Sequence, residues 1–178
     1  MSSSPGRRSL RSSLLALVLS AGCANSYSMV GYDVGSRTHG VLVDKVGGGH
    51  DGQTGSFAAG FAAGPISLEA VVHGHDLETT ADRWLSASGG LELKVRVLTL
   101  GPTQTFIHGG AMRAILLDRD DMNLDWGIGY AYGGTFAVGK WGVRAYVDAH
   151  VEELTYAGSE VNGQGTIATT TAGIMLGK

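Results

Sequence analysis

Between Gly89 and Leu117 the chain reads GGLELKVRVLTLGPTQTFIHGGAMRAILL, and no other stretch restricts the possible folds as much. Leu91, Leu93, Val95 and Val97 alternate with Glu92, Lys94 and Arg96. A period of two puts the aliphatic side chains on one face of an extended strand and the charged ones on the other. Gly101-Pro102 supplies a tight turn, so the stretch predicts two antiparallel arms of about a dozen residues each. A globular strand is usually about five or six residues long. A tilted barrel strand needs about nine to eleven to cross a bilayer. Helical readings lose, because no segment keeps apolar residues at a three-to-four spacing between caps. The chain also carries 29 glycines, each unfavourable by about 1 kcal/mol inside a helix.

The same alternation recurs along the chain. Val30 to Lys45 sets Tyr32, Val34 and Leu42 against Asp33, Arg37 and His39. Gly55 to Ala63 is a strand of small residues and two phenylalanines, and Gly64-Pro65 leads into Ile66 to His75. There Leu68, Ala70 and Val72 oppose Ser67, Glu69, Val71 and His73. A fourth strand starts at Trp84, and a fifth follows the Gly101-Pro102 turn. Leu124 to Tyr132, Trp141 to Leu154 and Thr166 to Leu176 complete the set, with a medium connection over 133–140. Eight strands alternate between short connections and long polar ones at 46–54, 76–83, 118–123 and 155–165. The expected fold is all-β: an eight-stranded antiparallel up-and-down (meander) β-barrel over 30–178. Transmembrane barrels show this pattern, with short periplasmic turns and longer extracellular loops. Closure leaves no backbone group unpaired in hydrocarbon. Trp84, Phe106, Trp126, Tyr132 and Trp141 fall near strand ends, where interfacial aromatic girdles are expected.

The first 22 residues read as a signal peptide. Arg7, Arg8 and Arg11 precede a short apolar run, Leu14 to Leu19, which is too short to span a membrane. Ala21-Gly22-Cys23 resembles a bacterial lipobox, which makes Cys23 a candidate lipidation site. Ordinary cleavage near Ala24 is the alternative, and 23–29 reads as a short linker. Cys23 is the only cysteine, so no internal disulfide is expected. With 16% charged and 43% hydrophobic residues the chain is not of disordered composition. A net charge of −3 gives no basic footprint for nucleic acid.

From Val30 onward the strand pattern resembles the small eight-stranded outer-membrane β-barrel family of OmpA and OmpX type. The resemblance implies a non-enzymatic protein of the outer membrane in the cell envelope of a Gram-negative-type bacterium. It would be embedded in outer-membrane lipid, with a structural or adhesive role exercised through the four long loops. Two other readings remain open. One is a lipid-tethered, lipocalin-like soluble barrel whose apolar face lines a ligand cavity. The other is an outer-membrane lipid-modifying hydrolase.

On the barrel reading the inward positions carry a lumen charge network: Glu69, His73, Glu92, Lys94, Arg96, Asp125, Arg144, Asp148, His150 and Glu152. An eight-stranded barrel is just wide enough for side chains to fill, so this set is expected to plug it. Asp148 and His150 are the candidate catalytic pair, with Ser67, Ser86 or Ser88 able to approach from across the barrel. His73 and His75 share a strand face near Glu69, but spacing supplies no third and fourth ligand, so no metal is expected. No cofactor is expected either. The segment GGGHDGQT at 47–54 has Gln53 where a phosphate-binding loop needs lysine. The run DRDDMN at 118–123 lacks the glycine and terminal glutamate of a calcium loop.

Overall fold

The computed structural model describes residues 26–42, 54–78, 83–119 and 122–177. The signal-peptide, Cys23 and 47–53 expectations lie outside these residues. Eight strands follow in order: β1 (Ser26–Gly40), β2 (Thr54–Ala63), β3 (Ile66–Glu78), β4 (Arg83–Leu100), β5 (Thr103–Asp118), β6 (Leu124–Lys140), β7 (Val143–Ala157) and β8 (Asn162–Gly177). Each pairs antiparallel with its neighbour in sequence, and β1 pairs with β8 to close the barrel.

The turns at one end explain the meander. Gly64 and Gly101 adopt φ of +66° and +59°, each followed by a proline. A left-handed first residue in a two-residue loop matches the right-handed twist of the flanking strands. At the third turn both Trp141 and Gly142 have positive φ, the pattern of a type I′ hairpin.

Several boundaries differ from those expected. β1 begins at Ser26, inside the expected linker, and ends at Gly40 rather than Lys45. β6 continues through Gly133-Gly134 to Lys140, so the expected medium connection is a two-residue turn. β3 runs through 78 and β4 starts at 83, so the two strands take half of the expected 76–83 loop, and the 155–165 loop contracts to 158–161 between β7 and β8. Asp125 closes that last connection by accepting hydrogen bonds from the backbone N–H groups of Ser159, Glu160 and Val161, at 2.9, 3.2 and 2.7 Å. A bulge between Asp33 and Gly35 shifts the register against β8. Beyond it Arg37 and His39 face outward, not inward as the alternation implied, because one extra residue inverts the facing of everything after it.

The two faces have opposite characters. Leu91 and Leu93 are 58% and 50% exposed, whereas Glu92 and Lys94 between them are 1% and 2% exposed. Val30, Tyr32, Leu68, Val72, Ile107, Phe136, Val147 and Ile174 continue the outward apolar surface around the barrel. This overturns the lipocalin-like alternative, which requires the aliphatic face inside. Two of the five expected girdle aromatics, Trp84 and Phe106, point into the interior, while Trp126, Tyr132 and Trp141 face outward.

Candidate functional site

The interior is assembled from the polar parity of five strands. β3 contributes Glu69, His73 and His75, and β4 contributes Ser88, Glu92 and Lys94. His108 comes from β5, Thr135 from β6, and Asp148, His150 and Glu152 from β7. All are buried. Of the ten residues expected in the lumen network, seven meet there.

The other three lie at the ends. Arg96 donates to the carbonyl of Gly64 at 3.3 Å, beside the first turn. Arg144 donates to the carbonyl of Gly177 at 3.3 Å. Asp125 closes the 158–161 connection at the opposite end. Their parity is right, but they sit too near the strand ends to reach the central cluster.

The cluster has two parts. Toward the Gly64, Gly101 and Gly142 turns, the Lys94 ammonium lies 2.8 Å from Glu69 Oε1, and Tyr27 donates its hydroxyl proton to Glu69 Oε2 at 2.8 Å. Lys94 Nζ also lies 5.9 Å from the Phe106 ring centroid. Farther in, four imidazoles form a column. His75 and His73 have ring centroids 6.1 Å apart, His73 and His150 4.3 Å, and His150 and His108 5.6 Å. Carboxylates alternate with them. His108 Nδ1 lies 2.7 Å from Glu92 Oε2, and its Nε2 lies 3.0 Å from Asp148 Oδ1. A ring with both nitrogens on carboxylates must donate twice, which only the imidazolium does. Thr135 donates to the same Asp148 oxygen at 2.6 Å. Glu92 Oε1 is 3.7 Å from His150 Nδ1. Glu152 Oε1 is 3.5 Å from His150 Nε2 and 3.7 Å from His75 Nε2.

Sequence reasoning paired Asp148 with His150 as a catalytic dyad. The geometry gives Asp148 to His108 instead, and Ser88 directs its hydroxyl proton to Glu152 Oε1 at 2.7 Å. The acid, base and nucleophile of a hydrolase triad are therefore not aligned here. His108 was missed because Gly109-Gly110 interrupts the alternation around it; its parity with Phe106 and Met112 was the available signal. His75 was noticed, but its neighbours arrive from β7, a strand whose register no spacing rule reveals.

Among the described residues the middle of the barrel is filled by side chains. A 50 Å³ space beside Tyr27, Lys94 and Phe106 and a 20 Å³ space beside His73, His108 and His150 are each of the size that holds a water or two.

No protein-family model matches the sequence, and no curated protein matches it. Solved structures do match in fold. Neisserial surface protein A (NspA) superposes with a TM-score of 0.65 at 13% identity, over 86% of this chain and 97% of that one. The N-terminal β-barrel domain of Pseudomonas aeruginosa OprF gives 0.49 at 12% identity, over 84% and 97%. Ail, the attachment invasion locus protein of Yersinia pestis, gives 0.47 at 12% identity, over 86% and 99%. By its closed eight-stranded meander and its superposition on NspA, the chain has the fold of the small outer-membrane β-barrels.

Proposed function

We propose that the protein is a non-enzymatic β-barrel of a bacterial outer membrane that presents its loops as an interaction surface. The observation that carries this reading is the outward belt of aliphatic and aromatic side chains around a sealed polar interior. In water such a surface would be an aggregation hazard far larger than the few hundred Å² that soluble monomers expose. In lipid it is the required solvent-facing surface.

The belt has a defined height. Measured from the tight turns that precede them, the outward residues of β5 and β7 stay apolar or small until Arg113 and Glu153, each about eleven residues along its strand. At about 3.3 Å per residue and a tilt of about 40°, eleven residues rise roughly 28 Å, close to the ~25 Å apolar band of such barrels. Tyr130 and Tyr132, at this upper edge, donate to Glu153 at 2.6 and 3.0 Å, amphipathic rings placed where an interface would lie. The tight turns would then face the periplasm, and the connections after β1, β3, β5 and β7 the outside. NspA bears the words "surface protein" in its own name, which agrees with this placement. Lipidation at Cys23 would add a lipid anchor.

Electrophoretic mobility of the protein from washed membranes, unheated against boiled, tests the reading. A faster unheated band that resists carbonate extraction is expected. Release into carbonate by both the wild type and Cys23→Ser would overturn it.

A further inference from the structure

Six charged or charge-bearing groups meet in the interior, and they do not balance. Glu69, Glu92, Asp148 and Glu152 face one ammonium, Lys94, and one imidazolium, His108. Two negative charges remain, both next to the histidine column: one shared by Glu92 and Asp148 around the single His108, and one at Glu152. Uncompensated buried charge is strongly destabilising.

We propose that the lumen binds a divalent transition-metal ion of the zinc class through His73, His75 and Glu152, with His150 beside them. Ligand atoms of His73, His75 and Glu152 lie within 4.8 Å of one another. A tetrahedral site with bonds of about 2.0–2.1 Å holds its donors roughly 3.3–3.5 Å apart, so closure takes no more than about 1.5 Å of movement. His73 and His75 project from one face of β3, so both present a ring on the side from which Glu152 approaches. His150 Nε2 already stands 3.5 Å from Glu152 Oε1.

Orphaned atoms point the same way. His73 Nδ1 and Glu152 Oε2 have no hydrogen-bond partner, in side chains at 5% and 0% exposure. Buried polar atoms in native structures are nearly always partnered, by protein, water or ion. The donor set of imidazoles with one carboxylate suits zinc, nickel or copper rather than magnesium or calcium. Ser88, bonded to Glu152 Oε1, would orient that ligand from behind. A second triad, Glu92, His108 and His150, is equally compact. It is the weaker site, because both nitrogens of His108 are already committed to carboxylates.

Two extra protons on the column would balance the same charge, and the experiment separates the two. Tag-free protein is refolded with zinc chloride, washed with chelator and assayed for metal by mass spectrometry, with folding verified by gel mobility. The inference requires the closed barrel and is independent of its cellular address. One zinc ion per folded barrel is expected to survive the wash and to raise the melting midpoint. Glu152→Gln and His73→Gln should each weaken zinc binding at least about tenfold, given what even outer-shell changes do to metal affinity. His39→Gln, on the outer surface, should not. A folded wild-type barrel that retains no zinc overturns the proposal and leaves protons as the balancing charge. Wild-type retention by both lumen variants also overturns it, by moving the ion elsewhere. Should one variant fail to refold, the other decides.

Discussion

Replacing Ile107 with arginine tests the outward face at its middle. Ile107 sits on β5 five residues beyond Pro102, faces outward and is 54% exposed, so its replacement removes little packing. Five residues at about 3.3 Å and a tilt of about 40° place it roughly 13 Å above the turn, near the centre of a ~25 Å band. Arginine at the midplane of a membrane barrel costs about 2–4 kcal/mol, and about 0–1 kcal/mol near the interfaces. Ala111, on the same strand and face, is four residues higher and two below the native Arg113. Ala111→Arg should therefore cost no more than about 1 kcal/mol by the same depth rule. Urea unfolding of both variants in lipid vesicles, followed by tryptophan fluorescence, reads the difference as a shift in midpoint at constant slope. Were the outer face bathed in water, Ile107→Arg would be an ordinary surface change, within about 0.5 kcal/mol. Equal midpoints for Ile107→Arg, Ala111→Arg and wild type would refute the reasoning.

Three further outcomes follow from the interior. His108→Leu leaves Glu92 and Asp148 without their shared cation and should destabilise by about 3–5 kcal/mol in the same assay; adding Asp148→Asn should recover part of that loss. At Gly133 a Cβ would meet the Ala149 carbonyl oxygen and would stand 2.8 Å from Cε1 and Nε2 of the His108 ring, so Gly133→Ala should cost about 1–3 kcal/mol. Gly74→Ala, with open space around the added methyl, should stay within about 0.5 kcal/mol and serves as its control. Planar-bilayer recordings of the refolded protein should show no stepwise conductance, because among the described residues buried side chains such as Lys94, Phe106, His108 and His150 fill the middle of the barrel.

The barrel was legible because its main signal is local. The Leu91-to-Val97 alternation needs no distant information, and the β4–β5 register confirms it by pairing Leu91 with Ala111 and Glu92 with Gly110. What failed to show were the points where one residue changes the phase or where a distant side chain explains a local oddity. The bulge at Asp33/Gly35 leaves no mark in the alternation of residue types, yet it reverses Arg37 and His39. Gly133-Gly134 looks like a connection, since glycine pairs weaken strands. In the barrel Gly133 stays in β6, opposite His150, and its missing side chain is the space the His108 ring fills. That glycine and that histidine are 25 positions apart in sequence, so the local pattern shows an interrupted strand and no site. The same holds for the column itself: parity placed His73, His150 and Glu152 inside, but their proximity depends on how β3 and β7 face each other across the closed barrel.

The polar interior also restricts which barrel can form. Glu69 and Glu92 stand directly opposite each other on β3 and β4, an arrangement that is ordinarily destabilising. It is tolerated because each carboxylate has its own partners: Lys94 and Tyr27 for Glu69, His108 for Glu92. Those partners come from β1, β4 and β5, so both carboxylates are satisfied only when several registers are correct at once. A one-residue slip of β4 against β5 would place Glu92 and Lys94 on the outer face and Leu91 and Leu93 inside. A two-residue slip would keep the faces but move His108 away from Glu92. An all-apolar lumen would be indifferent to that second error, whereas this one leaves the Glu92 carboxylate buried without its cation. The charged interior thus selects one register among those that hydrophobic alternation alone permits.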